Sequence, residues 1–105
     1  MSDEASLQIQ HSDGAHAGAF FIERGGERIA EMTYARRGPS GPGASLINID
    51  HTLVNPVLRG QGVARKLLDA LVTWARATGT RVTATCSYAV GQFAQDESIR
   101  DVMAG

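Results

Sequence analysis

Between residues 46 and 86 the hydrophobic period of the chain changes twice. Leu46 to Val54 alternates with a period of two, which predicts a strand with Ile47, Ile49, His51 and Leu53 on one side. Pro56 stops it. From Gly62 to about Thr78 the period is helical. Val63, Leu67, Leu71, Trp74 and Ala75 form an apolar stripe, and Arg65, Lys66, Asp69, Thr73 and Arg76 lie opposite. Gly79 stands where a C-terminal cap belongs. Arg81 to Cys86 returns to the period of two, with Val82, Ala84 and Cys86 sharing a face. A strand, a helix and a strand in this order predict a parallel, right-handed unit.

The rest of the chain supplies antiparallel partners. Leu7 and Ile9 alternate with Gln8 and Gln10 and suggest a first strand, after a frayed start at residues 1–5. Ala17 to Arg24 and Glu27 to Arg36 read as the next two strands, joined by Gly25-Gly26, a pair suited to a tight hairpin. Ala30, Met32 and Tyr34 fall on one face of the third strand. Arg37 to Ser45 holds two Gly-Pro pairs and reads as a mobile loop. The tail is expected to be helical in two pieces, around Tyr88 to Ala94 and Asp96 to Met103, with Asp96, Glu97, Arg100 and Asp101 as a solvated face. The fold class is thus α/β (mixed): about five strands, an antiparallel meander, then a β-α-β unit and short C-terminal helices.

Composition sets the limits. With 105 residues, 43% of them hydrophobic, the chain is expected to form one domain, residues 1–105. A net charge of -1 argues against a general nucleic-acid binder. The lone cysteine, Cys86, excludes an intramolecular disulfide and a cysteine-cluster zinc site, and no metal site is expected. The acidic start, Met1-Ser2-Asp3-Glu4, leads into no apolar run, and no stretch has the length of a transmembrane helix. A soluble cytoplasmic protein with no membrane partner is the expectation.

The start of the main helix breaks ordinary helix rules. It has no Ser, Thr, Asp or Asn at the expected cap position and offers Gly60-Gln61-Gly62 instead. Arg59, Arg65 and Lys66 cluster at an end that disfavours cations, each at a cost of about 0.3–1 kcal/mol. A bound anion reverses that sign: glycines allow close approach, free amides donate to phosphate oxygens, and basic side chains neutralise the charge. A solvated glycine turn is the simpler reading of Gly-Gln-Gly alone. The preceding strand, the proline, the following helix and the inverted charge pattern together favour a phosphate site. A P-loop does not fit, because Gly62 is followed by Val63-Ala64. A dinucleotide fingerprint does not fit either, because position 65 is Arg65.

These residues resemble the GNAT (Gcn5-related N-acetyltransferase) superfamily. Its motif of Arg or Gln, two residues, Gly, one residue, and Gly or Ala is matched by Arg59-Gly60-Gln61-Gly62-Val63-Ala64. Ile49-Asp50-His51-Thr52, the lead-in Leu53 to Leu58, and Thr85-Cys86-Ser87-Tyr88 with its short helical tail are similar to the minimal YjdJ-type members, over most of residues 17–104. The resemblance implies acetyl-CoA (coenzyme A) as cofactor, with its pyrophosphate on the amides from Gly60 to Ala64. It implies a pantetheine arm in a cleft where the fourth and fifth strands splay, pairing with the backbone of Thr52, Leu53 and Val54. The implied activity is N-acetyl transfer to an unidentified amine, small molecule or protein. The alternative is a non-catalytic acyl-CoA-binding module or sensor. By this resemblance the chain is expected to lack the extra N-terminal helices and the last two strands of larger members, which normally build the acceptor pocket. An open or partner-completed acceptor site follows, in a monomer or weak homodimer.

Transfer to an amine needs a base for the amine proton and an acid for the leaving thiolate. His51, near the end of the fourth strand, is the candidate base, since an imidazole titrates near ~6.5. Cys86, at the end of the fifth, is a candidate acyl-accepting nucleophile activated by His51 or by the next helix's N-terminus. Alternatively Cys86 or Tyr88 protonates the thiolate. Both His51 and Cys86 should approach one crevice of a parallel pair, unless a bulge in the fourth strand rotates His51 away. A buried, inert cysteine and a core histidine are the plainer alternatives. His11 and His16 read as surface residues, and Trp74 as a core anchor.

Overall fold

The computed structural model describes residues 8–38 and 45–104. Five strands form one sheet in the order β1-β2-β3-β4-β5: Gln10–Asp13, Ala17–Arg24, Glu27–Arg36, Leu46–Val54 and Arg81–Ala84. The first four pair antiparallel, and β4 pairs with β5 parallel. Helix α1, Val63–Thr78, joins that parallel pair, and helix α2, Ser87–Gln95, follows β5. Short 3-10 segments cover Pro56–Leu58 and Glu97–Val102. The expected mixed α/β architecture is the one observed.

The hairpin between β2 and β3 turns on Gly25 and Gly26, with φ of 61° and 82°. Both angles are costly for any side chain with a Cβ and match the twist of the flanking strands. Cross-strand partners share a face, so Phe20, Met32 and Thr52 lie together, as do Ile22, Ala30 and Val54. This face carries the core. Tyr34, Ile47, Ile49 and Val82 pack there with Leu67, Leu71, Phe93 and Ile99 from the helical segments. Leu68 and Val72 are also buried, outside the expected stripe. The reason is that α1 touches both the sheet and the Glu97–Val102 segment, so its apolar face is wider than one seam.

The first strand lies further along than the alternation of Leu7 and Ile9 suggests. Leu7 is outside the described residues, and β1 consists of the polar run Gln10–Asp13. Tertiary contacts choose this register. His11 stacks on Phe20 with 3.9 Å between ring centroids and meets Trp74 edge-on. The buried Tyr34 hydroxyl donates to Asp13 Oδ1 at 2.7 Å and lies 2.8 Å from His11 Nε2. Its proton is given to Asp13, so His11 must donate Nε2–H to it. Arg36 holds both Asp13 oxygens, at 2.5 and 2.6 Å. Burial opposes the ionised Asp13, but the bonds from Tyr34 and Arg36 outweigh it and hold the carboxyl below its ordinary range.

The tail charges are not simply solvated. Asp101 binds Arg76 of α1, and Arg100 donates to the Phe93 and Ala94 carbonyls at the end of α2. The loop expected over residues 37–45 falls mostly outside the described residues. No helix among them is long and apolar enough to cross a membrane.

Candidate functional site

The entrance to α1 has the geometry the sequence suggests. Asn55 caps the 3-10 turn by accepting from Val57 N at 3.0 Å, and Arg59 then leaves it in extended conformation. Gly60 and Gly62 both have positive φ, 81° and 66°. Gly62 is the N-cap of α1 and supplies no side-chain cap. The amides from Gly60 to Arg65 meet no acceptor among the described residues. They border a hollow of about 270 Å³ lined by Val54, Leu58, Arg59, Gly62, Ala64 and Tyr88, among others. Orphan amides at a helix start together with partial positive charge suit an anion. Gln61 and Val63 complete the turn; Val63 is buried and anchors the first helical residue in the core.

The three cations there are not equivalent. Arg65 is held on three sides: Nε donates to Asp69 Oδ1 and Nη1 to Gln92 Oε1, both at 2.8 Å, and Nη2 to Asp96. Asp96 is drawn down to about 2, first by the Ser98 hydroxyl and then by Arg65. The Arg65 guanidinium therefore fastens α1 to the end of α2, while its backbone amide stays among the unbonded donors at the helix start. Arg59 and Lys66 have no ion-pair or hydrogen-bonding side-chain partner among the described residues.

Pairing between β4 and β5 ends at Ile49↔Ala84. The Ile49 carbonyl takes the amides of both Thr85 and Cys86, at 3.0 and 3.1 Å, and the chain then turns into α2. Thr52, Leu53 and Val54 pair with β3 alone, so their other edge is open. β5 is shorter than expected, and Cys86 is the N-cap of α2 rather than a strand residue.

The expected shared face of β4 is broken by a bulge. Thr33 pairs with His51 and Tyr34 with Ile49, which leaves Asp50 as the extra residue. One inserted residue inverts the alternation, so Ile47 and Ile49 face the core while His51 and Leu53 face away from it. The His51 side chain is 54% exposed, with Nε2 4.0 Å from Glu31 Oε2, and Leu53 is 52% exposed. Thr52 takes the inward place instead, and its Oγ1 lies 3.2 Å from Cys86 Sγ. The structure thus brings Cys86 to Thr52 and leaves His51 on the opposite face. Tyr88 is half-buried, lines the same hollow, and has its hydroxyl pushed up chiefly by burial. Glu31 has no local sequence signal as a neighbour of His51; only the antiparallel register brings them together. Among the described residues no group of three His, Cys, Asp or Glu is placed to hold a metal.

Comparison with known proteins places this geometry. The family profile of GCN5-related N-acetyl-transferases matches residues 19–102, and the chain belongs to that family. A GCN5-like protein from Staphylococcus aureus, known as a solution structure, superposes with a TM-score of 0.68 at 36% identity, over 96% of this chain and 91% of that one. The aminoglycoside N-acetyltransferase AAC(6')-Iy in complex with CoA has a TM-score of 0.56 at 16% identity, over 88% and 89%. A ribosomal-protein-alanine N-acetyltransferase from Brucella melitensis has a TM-score of 0.56 at 19% identity, over 70% of this chain but 54% of that one. These last two share the fold. Among curated proteins no sequence matches. Acetyl-CoA is the cofactor of the family.

Proposed function

We propose that the chain binds acetyl-CoA across the entrance to α1 and the open edge of β4, and transfers the acetyl group to an amine. The observation that carries this reading is the run of amides from Gly60 to Arg65 that meet no acceptor among the described residues, flanked by Arg59 and Lys66, whose side chains have no partner among them. A diphosphate there would accept from these amides, with Arg59, Gly60, Gln61, Gly62, Val63, Ala64 and Arg65 as the cradle. The pantetheine amides would bond the free backbone edge at Thr52, Leu53 and Val54, which β5 leaves unpaired.

In the transfer, the amine nitrogen attacks the thioester carbonyl carbon and the C–S bond breaks. His51 takes the amine proton from the solvent-facing side, and Cys86 or Tyr88 returns a proton to the leaving thiolate. The covalent alternative makes Cys86, the N-cap residue of α2, the first acyl acceptor. The separation of His51 from Cys86 across the sheet favours a second reading, an acyl-CoA-binding module or sensor with little turnover.

Calorimetry with CoA and acetyl-CoA, followed by intact-mass analysis, tests all of this. Binding and release of CoA in the presence of amines are expected. Binding without turnover against a broad amine panel selects the sensor. A gain of one acetyl group that disappears in Cys86→Ser selects the covalent route, and failure to bind either ligand refutes both readings.

A further inference from the structure

On the sheet face opposite Cys86, a polar bracket holds the place where β4 and β5 part. Asn48 of β4 is only 6% exposed. Its Nδ2 donates to Thr85 Oγ1 at 2.9 Å, and its Oδ1 accepts from Thr83 Oγ1 at 2.9 Å. Both partners come from the β5 segment, one on each side of Ala84, the last residue that pairs with β4. Hydrophobic side chains would fill such a site without any bond, and a buried amide left unpaired would be costly. Both ends of Asn48 are instead committed to the neighbouring segment, which specifies one register.

The consequence reaches the site through alternation. With Thr85 held on the Asn48 side and its amide on Ile49, Cys86 emerges on the other side, where Sγ meets Thr52. Without the bracket, the buried Asn48 bonds no longer oppose pairing of the β5 segment one step further along β4, which would close the free edge.

We infer that Asn48 is a positioning residue: through Thr85 it sets where β4 and β5 separate and where the Cys86 thiol sits. The inference rests on the reading of that open edge as the pantetheine groove. Cys86 is the chain's only cysteine, so its alkylation by iodoacetamide reports its position without any cofactor.

Asn48→Ala, Thr85→Val and Thr83→Val are compared with wild type for alkylation rate, CoA affinity and cooperative melting. Asn48→Ala and Thr85→Val are expected to speed alkylation about threefold or more by loosening the turn. They should also weaken CoA binding about tenfold. Thr83→Val, which leaves the Thr85 bond intact, should stay within about twofold of wild type on both readings. If Asn48→Ala does not fold, Thr85→Val carries the same prediction. Alkylation and affinity unchanged in folded Asn48→Ala or Thr85→Val overturn the inference. So do equal effects from Thr83→Val, which would mark general loosening. Should wild type fail to bind CoA, the functional reading falls, and the alkylation comparison alone decides the role of Asn48.

Discussion

Replacing Gly62 by alanine separates two physical effects at the proposed phosphate cradle. Gly62 has φ of 66°, and a Cβ built on it meets no protein atom within 4 Å. The protein therefore has room for the methyl group, and the folding cost is the left-handed conformation alone, about 1–2 kcal/mol. For a chain of this size, 1 kcal/mol lowers the melting temperature by about 4–8 °C. That strain is present with and without ligand, so it cancels from the binding equilibrium. A methyl group in the cradle is different, because it occupies space needed by the phosphate. Loss of one amide bond to a charged oxygen removes about 1.5–3 kcal/mol, which weakens CoA binding about tenfold to about a hundredfold. A thermal melt and calorimetric titration on the same preparation measure both quantities. A drop in melting temperature of the stated size with unchanged CoA affinity would refute the cradle while leaving the conformational argument intact.

Three further outcomes follow from the same packing. Gly18→Ala places a Cβ 2.4 Å from the Tyr34 hydroxyl and 2.6 Å from the Ser12 carbonyl, so it should cost about 1–3 kcal/mol in urea unfolding; an unchanged midpoint contradicts the Tyr34 arrangement. Burial lowers the His11 pKa, so its protonation favours the unfolded chain; stability is complete above ~6.5 and falls as pH drops below it, and His11→Gln should flatten that part of the urea midpoint's pH profile. Asp96 is depressed to about 2, so its stabilising contribution is present above about 4 and is lost as pH falls toward about 2; an identical acid limb in Asp96→Asn would show that the Ser98 and Arg65 bonds carry no such linkage.

Much of this molecule was legible from local pattern. The bounds of β2, β3 and β4 follow from alternation and turn glycines, and those of α1 from its apolar stripe and Gly79. These are properties of neighbouring residues, because backbone period and turn conformation depend on chemistry a few positions apart. The glycine-flanked entrance to α1 and its charge inversion were legible for the same reason. Tertiary structure decided the rest. Whether His51 faces inward depends on one inserted residue, Asp50, which is visible only when β3 is laid beside β4. Arg65 has the same sequence signal as Arg59 and Lys66, yet Gln92 and Asp96 claim it from 27 and 31 positions away. Thr52 meets Cys86 across 34 positions. Sequence period determines which residues can share a face, while register, set by the summed contacts of distant strands, determines which face that is.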